Sequence, residues 1–592
     1  MTKKKKSRTK KSKDKPDQPE KERPAKKGAK KPSSPKAPKP PEPSPYQQLL
    51  QRPEVRVLLS YWVILVALLC LLQYWGGVNK LFFFQGGDNA EYLNLARSLL
   101  DGEYMSINSS PPEPHTKYPP FFPLMLASII LLFGKNMVLM KSLIALSAAV
   151  ATAGTALLYK QRDHNLIAFL AALLLMSVPF TLSYSIRLLS EIPFTAFVVL
   201  TLLFTELALD RDSLKSPYTY LAAIFLVIAY FTRSAGIVLA PVVVGAALLR
   251  SPIRPRLKKN AVLAAVMTGP FIIGFLGWSL RNRSVTGGEG TAYWQELLLK
   301  DPSNLDSPLI GVGGFISRVG EHFVFYLKEL AKTLWPYLDK AQESELIVPG
   351  AIIFAVATVG LVRSLLNRRG ASELYALFYS ALIVIWTFVE NRFLIPLYPV
   401  LIYYFLKGVE TVPVLLSRAD KRVGHPAFKY AAILIVSVLL LGSYVPENLD
   451  FLSRASRMKR ARGVEINENF HIISFNRGMA HMLGVAIYAR ENTSPDTVII
   501  ARKPRLVAFA SERTTVGPPF APEPAEFIRQ MEQKRVSYML VDEVYPAMKE
   551  HFQPAINNFR ERFQLVYRLP ESNSMLFKYT PGKPYSDQRG RE

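Results

Sequence analysis

The sequence has little of what most metal and disulfide sites need. It contains a single cysteine, Cys70, so an internal disulfide and a cysteine-based metal site are both excluded. Its seven histidines lie apart and form no HExxH motif or close His-Asp pair, so no metal or other cofactor is required, although a divalent cation near His115 stays an alternative.

Acidic residues are outnumbered, since 46 Asp and Glu stand against 73 Lys and Arg and give a formal net charge of +27. No zinc knuckle, helix-turn-helix or aromatic RNA-binding motif accompanies this charge, so we expect no nucleic-acid partner. Much of the excess lies in residues 1–50, which are rich in Lys and Pro and have almost nothing to bury. This segment is predicted to be a disordered cytoplasmic tail near anionic membrane lipids, and not a cleavable signal peptide.

About half of the sequence (49%) is hydrophobic, and these residues occur in blocks. Runs of about 17 to 25 apolar residues are typical of membrane spans. The sequence contains about eleven such runs, several of them short, which predict a polytopic bundle of mainly α structure within residues 51–445. The runs are 57–74, 138–159, 166–180, 193–209, 218–231, 237–249, 261–280, 347–362, 374–389, 393–406 and 430–444.

A further apolar run, 120–133, decides the topology. If it does not cross the membrane by itself, all basic loops lie on the same side as the tail, as the positive-inside rule requires. We therefore interpret it as a re-entrant or juxtamembrane helix, or as one of a pair that makes a single crossing. The basic loops are 160–164, 210–215, 250–259, 363–369 and 417–429, and the predicted outer regions are 76–119, 181–191, 282–346 and the chain after 445.

The last region, 446–592, is predicted to be an extracytoplasmic α/β domain. Strand-like runs TVIIA and YMLVD alternate with helical stretches MAHMLGVAIYAREN and PAEFIRQMEQKR. A hairpin is expected around FQLVYRLP and SMLFKYT.

Charged residues gather at the predicted outer surface. Asp88 begins an amphipathic helix in the first outer loop, where it is either a helix cap or a catalytic carboxylate. Lys117 precedes a Pro-Pro pair and is either an interfacial anchor or a ligand of a lipid phosphate. Other charges at outer helix ends either form interfacial ion pairs or mark a site; they are Arg187, Glu191, Arg281, Glu390 and Arg392.

This mixture of carboxylates and cations at the depth of lipid headgroups suits the displacement of a lipid phosphate. The cations would stabilise negative charge on the departing phosphate oxygens. A carboxylate would take the proton of the attacking hydroxyl or amine.

Several motifs resemble the GT-C integral-membrane glycosyltransferases, in the family 39-like branch of protein O-mannosyltransferases and bacterial aminoarabinose transferases. The matching motifs are GDNAEYLNLARSLLDG, KYPPFFPLML with FGKN, SIRLLSEIPF, WSLRNRSVTGG, NRFLIPLYPVLIYY and TSPDTVIIARKPRLVAFAS. Their order along residues 55–580, more than any one motif, carries the resemblance.

The resemblance implies an inverting transferase that takes a sugar from a polyprenyl-phosphate donor on the outer leaflet of a bacterial inner membrane. It places the catalytic base at Asp88, with Glu191 as a further catalytic carboxylate. The family's frequent Asp-Glu pair is Asp88-Asn89 here, so any role of the second carboxylate passes to Glu91 or Glu191, or is absent. The expected phosphate ligands are Lys117, Arg187, Arg281 and Arg392, and the expected substrate contacts are Glu91, Tyr92, His115 and Tyr118.

Two other functions stay open. A transporter or flippase for a lipid-linked glycan would have charged or broken helices near the bilayer midplane, whereas the charges here gather at one surface. A non-catalytic partner in glycan assembly would keep the fold without the activity. Neither the sugar nor the acceptor, whether lipid, polysaccharide or protein, follows from the sequence.

Overall fold

The computed structural model describes residues 53–83, 87–162, 165–184, 187–250, 253–287, 296–301, 307–416, 426–458, 464–467, 470–473, 477–519, 523–543, 547–570 and 572–582. The chain divides into the units Met1–Val57 and Leu58–Glu592. The first is described only where helix α1 begins, and the features below belong to the second.

The helices of the apolar part follow in chain order, separated by short loops. They are α1 (Pro53–Gly77), α2 (Asp88–Leu100), α3 (Phe121–Phe133), α4 (Met137–Lys160), α5 (Asn165–Ser177), α6 (Pro179–Tyr184), α7 (Glu191–Arg211), α8 (Pro217–Thr232), α9 (Leu239–Leu248), α10 (Ile253–Val285), α11 (Val312–Leu334), α12 (Ile347–Asn367), α13 (Ala371–Ile385), α14 (Tyr398–Leu416) and α15 (Pro426–Met458). Three 3-10 turns lie at Ser234–Val238, Pro336–Lys340 and Asn391–Leu397.

Every one of the eleven predicted apolar runs is helical. Within the described residues, six helices are long and apolar enough to cross a membrane, and six more apolar helices of 10 to 17 residues are shorter. The chain is therefore a multi-pass membrane protein of mainly α structure. The run 120–133 forms α3, a helix of 13 residues that belongs to the shorter group. At about 1.5 Å per residue it is about 20 Å long, less than the hydrocarbon thickness of a bilayer.

The part after α15 alternates strands and helices. It contains β4 (Val464–Asn467), β5 (Phe470–Ile473), α16 (Arg477–Asn492), β6 (Val498–Ile500), α17 (Pro504–Ser511), β7 (Thr514–Val516), α18 (Pro524–Gln533), β8 (Tyr538–Val541), α19 (Ala547–Asn558), β9 (Phe563–Arg568) and β10 (Met575–Tyr579). The predicted strands, helices and terminal hairpin are all present. Helix α15 continues to Met458, beyond the boundary at 445 that hydrophobicity alone suggested.

Two sheets organise this part. A mixed five-stranded sheet has the order β7-β6-β8-β10-β9, in which β6 is parallel to β7 and β8 and β10 is antiparallel to β8 and β9. A three-stranded sheet has the order β1-β5-β4, and its edge strand β1 (Leu81–Phe83) comes from the first predicted outer loop. The same loop forms an antiparallel pair of short strands, β2 (Met105–Ser106) and β3 (Glu113–Pro114). Since β1 pairs parallel with β5, the first loop and the C-terminal part share one sheet.

Glycines allow helices α12 and α14 to approach closely. A Cβ atom on Gly360 would lie 2.0 Å from the carbonyl oxygen of Tyr404, and one on Gly408 would lie 1.9 Å from that of Val356. Contacts of this kind between small residues are typical of packed membrane helices.

Gly408→Ala is therefore expected to destabilise the bundle, because the added methyl group meets backbone that cannot move aside. Overpacking of this kind costs about 1 to 3 kcal/mol, which thermal unfolding in detergent will show as a lower Tm. Gly442→Ala is the matched control, since nothing lies within 4 Å of a Cβ at that helical position. Equal Tm values for the two variants would contradict the close contact.

Candidate active site

Asp88 is the first residue of α2, and Gly87 precedes it with a left-handed backbone (φ 94°) that lets the chain turn into the helix. The Asp88 carboxylate binds side chains from three distant segments. Its Oδ1 accepts hydrogen bonds from the Tyr118 hydroxyl at 2.8 Å and from Arg505 Nη1 at 3.1 Å. Its Oδ2 accepts one from Arg392 Nη2 at 2.8 Å.

These partners determine the protonation of Asp88. Burial alone would raise its pKa, but the charges of Arg392 and Arg505 and the hydrogen bonds outweigh burial and lower it below the ordinary value. Asp88 is therefore an anion at neutral pH, as a proton acceptor must be.

Arg392 joins three carboxylates. Besides Asp88, its guanidinium contacts Glu191 Oε1 at 3.3 Å and Glu390 Oε2 at 2.6 Å. Glu191, the first residue of α7, is almost fully buried (1% exposed) and also binds Arg233 Nη1 at 2.7 Å. Its Oε2 has no hydrogen-bond partner among the described residues. The two carboxylates predicted to be catalytic, Asp88 and Glu191, thus share one arginine.

Glu91 lies one turn after Asp88 and, like Glu191, is almost fully buried. It accepts hydrogen bonds from Asn108 Nδ2 and from Ser106 Oγ (3.3 Å), and Arg505 Nε lies 3.7 Å from Oε2. Burial raises the pKa of Glu91 despite these partners. Arg505 therefore stands between Glu91 and Asp88, whose pKa values shift in opposite directions.

His115 contacts the Glu91 carboxylate as well. The ring nitrogen Nε2 accepts the backbone N–H of Tyr118 at 2.9 Å, and Nδ1 lies 3.5 Å from Glu91 Oε1. Burial, with the positive charges of Arg505, Arg281 and Lys117, lowers the pKa of His115 to about 3. The ring is accordingly neutral, with its proton on Nδ1 toward the carboxylate.

Two tyrosines pack beside Asp88. The hydroxyl of Tyr92 is 2.9 Å from Ser190 Oγ, next to Glu191 in the chain. The rings of Tyr92 and Tyr118 are 5.1 Å apart, and the Arg505 guanidinium lies 5.9 Å from the Tyr118 ring centre. All four predicted substrate contacts, Glu91, Tyr92, His115 and Tyr118, thus lie in one cluster with Asp88.

The four predicted phosphate ligands differ in their ionic partners. Lys117 Nζ lies 2.6 Å from Glu296 Oε1, and Arg392 is paired as described above. Arg281 binds backbone carbonyls of His115 (2.5 Å) and Tyr104 (3.4 Å) and the Asn282 side chain. Arg187 lies 4.3 Å over the Tyr184 ring. Within the described part of the chain, neither Arg187 nor Arg281 has a carboxylate within ion-pair distance.

A metal site does not stand out here. In the described segments, no group of three or more His, Cys, Asp or Glu side chains is arranged to hold a metal ion. The carboxylates around Asp88 are instead bound by arginines, which act as the local positive charges.

Sequence reasoning missed three residues of this cluster. Arg233 directly follows α8, and the argument that charges at helix ends mark a site applies equally to it. Arg505 lies within a motif that carried the resemblance, yet nothing local indicates that it reaches Asp88, 417 residues away. Glu296 lies in a long polar interval without a recognisable pattern.

Comparison with known proteins agrees with this architecture. Residues 117–278 match the family described as dolichyl-phosphate-mannose-protein mannosyltransferase. Among curated proteins none matches the sequence. ArnT from Cupriavidus metallidurans, solved with bound undecaprenyl phosphate, is similar with a TM-score of 0.53 and 13% identity, over 87% of this chain and 98% of that one.

The archaeal oligosaccharyltransferase AglB from Archaeoglobus fulgidus, solved with an inhibitory peptide and a dolichol-phosphate, is similar with a TM-score of 0.52 and 13% identity. The match covers 90% of this chain and 75% of that one. At such identities the likeness concerns the fold. The chain thus has the GT-C fold. Within it, residues 117–278 carry the mannosyltransferase-type segment, so the resemblance found in the sequence is confirmed.

The buried neutral His115 predicts a pH dependence of stability. Its pKa of about 3 in the folded protein lies below the ordinary 6.5, so the unfolded chain takes up a proton first as pH falls. The contribution of the neutral His115 to the free energy of unfolding is therefore complete above about pH 6.5. Below that pH, the free energy of unfolding falls by up to about 1.4 kcal/mol per pH unit.

We expect His115→Gln to flatten the fall in Tm between pH 6.5 and 5, because glutamine keeps an acceptor for the Tyr118 N–H but does not titrate. Thermal unfolding of both proteins across this range measures the effect. Parallel curves would show that His115 is not responsible.

Proposed function

We propose that the chain is an inverting glycosyltransferase that moves a sugar from a polyprenyl-phosphate donor to an envelope acceptor on the outer face of the membrane. The observation that carries this proposal is the Asp88 carboxylate, ionised and held between Arg392 and Arg505. The bound undecaprenyl phosphate of ArnT and dolichol-phosphate of AglB support a lipid-phosphate donor.

In the proposed reaction, a hydroxyl or amine of the acceptor attacks the anomeric carbon of the sugar. The bond from that carbon to the phosphate oxygen breaks, and the phosphate leaves with the electron pair. Asp88 takes the acceptor's proton. Its low pKa is compatible with this role if the proton is transferred late, after bond formation has made it acidic.

The arginines of the site fall into two groups, those that bind Asp88 and those that are available for the donor phosphate. Arg392 and Arg505 hold Asp88 in place, so part of their charge is already neutralised by carboxylates. Arg187 and Arg281 have no such carboxylate partner in the described residues and are the better candidates for the phosphate oxygens. Lys117 is paired with Glu296, so part of its charge is likewise already neutralised by a carboxylate.

The alternative functions lack comparable support. A transporter would use charges deep in the membrane, and the described bundle has its buried ion pairs at the two ends of α7, around Glu191 and around Glu206. A non-catalytic partner would not need Asp88 to be ionised beside two arginines. The catalytic proposal explains this arrangement.

Asp88→Asn is expected to reduce sugar transfer by about 10² to 10⁴, because the amide keeps the shape of the side chain but accepts no proton. A deletion strain complemented with wild type or variant, followed by mass spectrometry of its envelope glycans, measures this. Asp101→Asn, at the exposed far end of the same helix, is the control. Wild-type glycans in the Asp88 variant, at equal protein level, would refute the assignment.

Arg187→Gln is expected to weaken donor use, because the leaving phosphate loses a charge-assisted hydrogen bond. We expect KM for the lipid-phosphate sugar to rise about tenfold, while thermal stability changes little, since among the described residues the guanidinium contacts the ring and side-chain hydroxyl of Tyr184 and forms no ion pair. Arg283→Gln, exposed at the end of α10, removes the same charge as a control. An unchanged KM in the Arg187 variant would exclude this residue from the phosphate site.

A further inference from the structure

A second polar site lies at the opposite end of α7 from Glu191. Glu206 is fifteen residues after Glu191 in this helix, which places it about 22 Å away. Beside Glu206 is a cavity of about 400 Å³, a size typical of ligand pockets. Its lining comes from the ends of α7, α9 and α12 and from the turn before α13: Glu206, Leu209, Ala246, Leu249, Arg250, Leu366, Asn367, Arg368, Arg369 and Gly370.

The floor of this cavity is a cluster of buried charged side chains that pair with one another. Arg162, almost fully buried, binds both Glu206 and Glu373. Glu206 also accepts Arg368 Nη2 at 2.7 Å and the backbone N–H of Ala371 at 2.7 Å. Both carboxylates are thereby paired with Arg162, as buried carboxylates must be, although Glu373 Oε2 has no hydrogen-bond partner in the described residues.

Gly370 fixes the loop against this floor. A Cβ atom there would lie 2.5 Å from Arg162 Nη2 and 2.5 Å from Glu206 Oε1, so no larger residue fits without displacing the cluster. The close contact therefore fixes the position of the turn that carries Arg368 and Arg369 relative to the ion pairs. This part of the cavity wall is thus held by packing contacts.

Two arginines of the cavity lining, Arg250 and Arg369, carry positive charge that is available to a ligand. Arg250 pairs through one Nη2 group with Asp210, which leaves its other N–H groups uncommitted in the described contacts. Arg369 is exposed and forms no ion pair with any described residue. Among the described residues in and beside the cavity, the four arginines 162, 250, 368 and 369 meet the three carboxylates 206, 210 and 373, which leaves an excess of one positive charge in this described set.

The cavity also borders the apolar surface of the bundle. Leu366, 81% exposed, and Leu249, 38% exposed, belong to its lining and lie at the ends of α12 and α9, at or just beyond the ends of the apolar runs 347–362 and 237–249 that the sequence predicts to lie in the membrane. The basic loops of the predicted cytoplasmic side, 250–259 and 363–369, supply its arginines. A molecule with an anionic head and an apolar tail would satisfy both surfaces at once.

We propose that this cavity binds a phosphate group at the cytoplasmic end of the bundle, carried by an anionic lipid or by a soluble phosphate. Arg250 and Arg369 hold the phosphate oxygens by charge-assisted hydrogen bonds, and Leu249 and Leu366 contact the chain of a lipid. The site is separate from Asp88 and does not depend on the transfer reaction proposed above.

The test compares two probes on the purified full-length chain in detergent: short-chain dihexanoyl phosphatidylglycerol and inorganic phosphate. Binding is measured by native mass spectrometry for wild type and for the double variant Arg250→Gln/Arg369→Gln. The double variant Arg211→Gln/Lys215→Gln removes the same charge from exposed positions at the same end of α7 and serves as the control. Arg369→Gln alone is a second test, because this side chain has no ion pair among the described residues whose loss would affect folding.

We expect wild type to bind the lipid and the cavity variants to lose about tenfold in affinity, with the control unchanged. Preference for the lipid over phosphate identifies the lipid as the source. Equal binding of inorganic phosphate, lost in the same variants, identifies a soluble phosphate. Absence of binding by both probes, or an equal loss in the control, would overturn the proposal.

Discussion

The structure around the candidate site depends on pairing buried charges. Carboxylates of Asp88, Glu191 and Glu390 come from the first outer loop, the start of α7 and the turn before α14, and Arg392 is their common partner. Glu390 is exposed, but Arg392 and Glu191 are largely buried, and removing one partner of a buried pair leaves the other uncompensated at a cost of about 3 to 5 kcal/mol. Each charge therefore constrains the position of the next, and the loop cannot leave the bundle without breaking several pairs.

The same constraint attaches the C-terminal part. Arg505 binds Asp88, and Glu512 on the same segment binds Arg97, in α2 of the first loop, and Lys135, in the turn between α3 and α4. Backbone pairing adds to these ionic contacts, because Thr515 N donates to the carbonyl of Ile107 at 2.9 Å. The C-terminal part thus contributes a residue to the site as well as covering it.

Much of this architecture was predictable because its signals are local. Apolar runs and alternating patterns depend on neighbours within 20 residues, so the helices, the short helix α3 and the terminal hairpin follow from the sequence. Asp88, Glu191 and Arg392 could be selected as charges at helix ends. The pairing of Arg505 with Asp88 could not, because contacts across hundreds of residues depend on how β1 joins the distant strand β5.

The structure also bears on the missing second carboxylate beside Asp88. Asn89 accepts the backbone N–H of Ala90, so it has a local role in the helix start. Glu91 and Glu191 each share an arginine with Asp88, yet their surroundings differ. Glu91 is enclosed by Asn108, Ser106 and His115, whereas Glu191 keeps one buried oxygen without a hydrogen-bond partner in the described residues.

Two neighbouring carboxylates whose pKa values are shifted in opposite directions are suited to different roles in acid-base chemistry. The pKa of Asp88 is lowered and that of Glu91 is raised, and Arg505 contacts both carboxylates. This difference supports the proposal that Asp88 is the ionised base. We propose that Glu91, one helical turn later, is the supporting carboxylate that the Asp-Asn sequence omits.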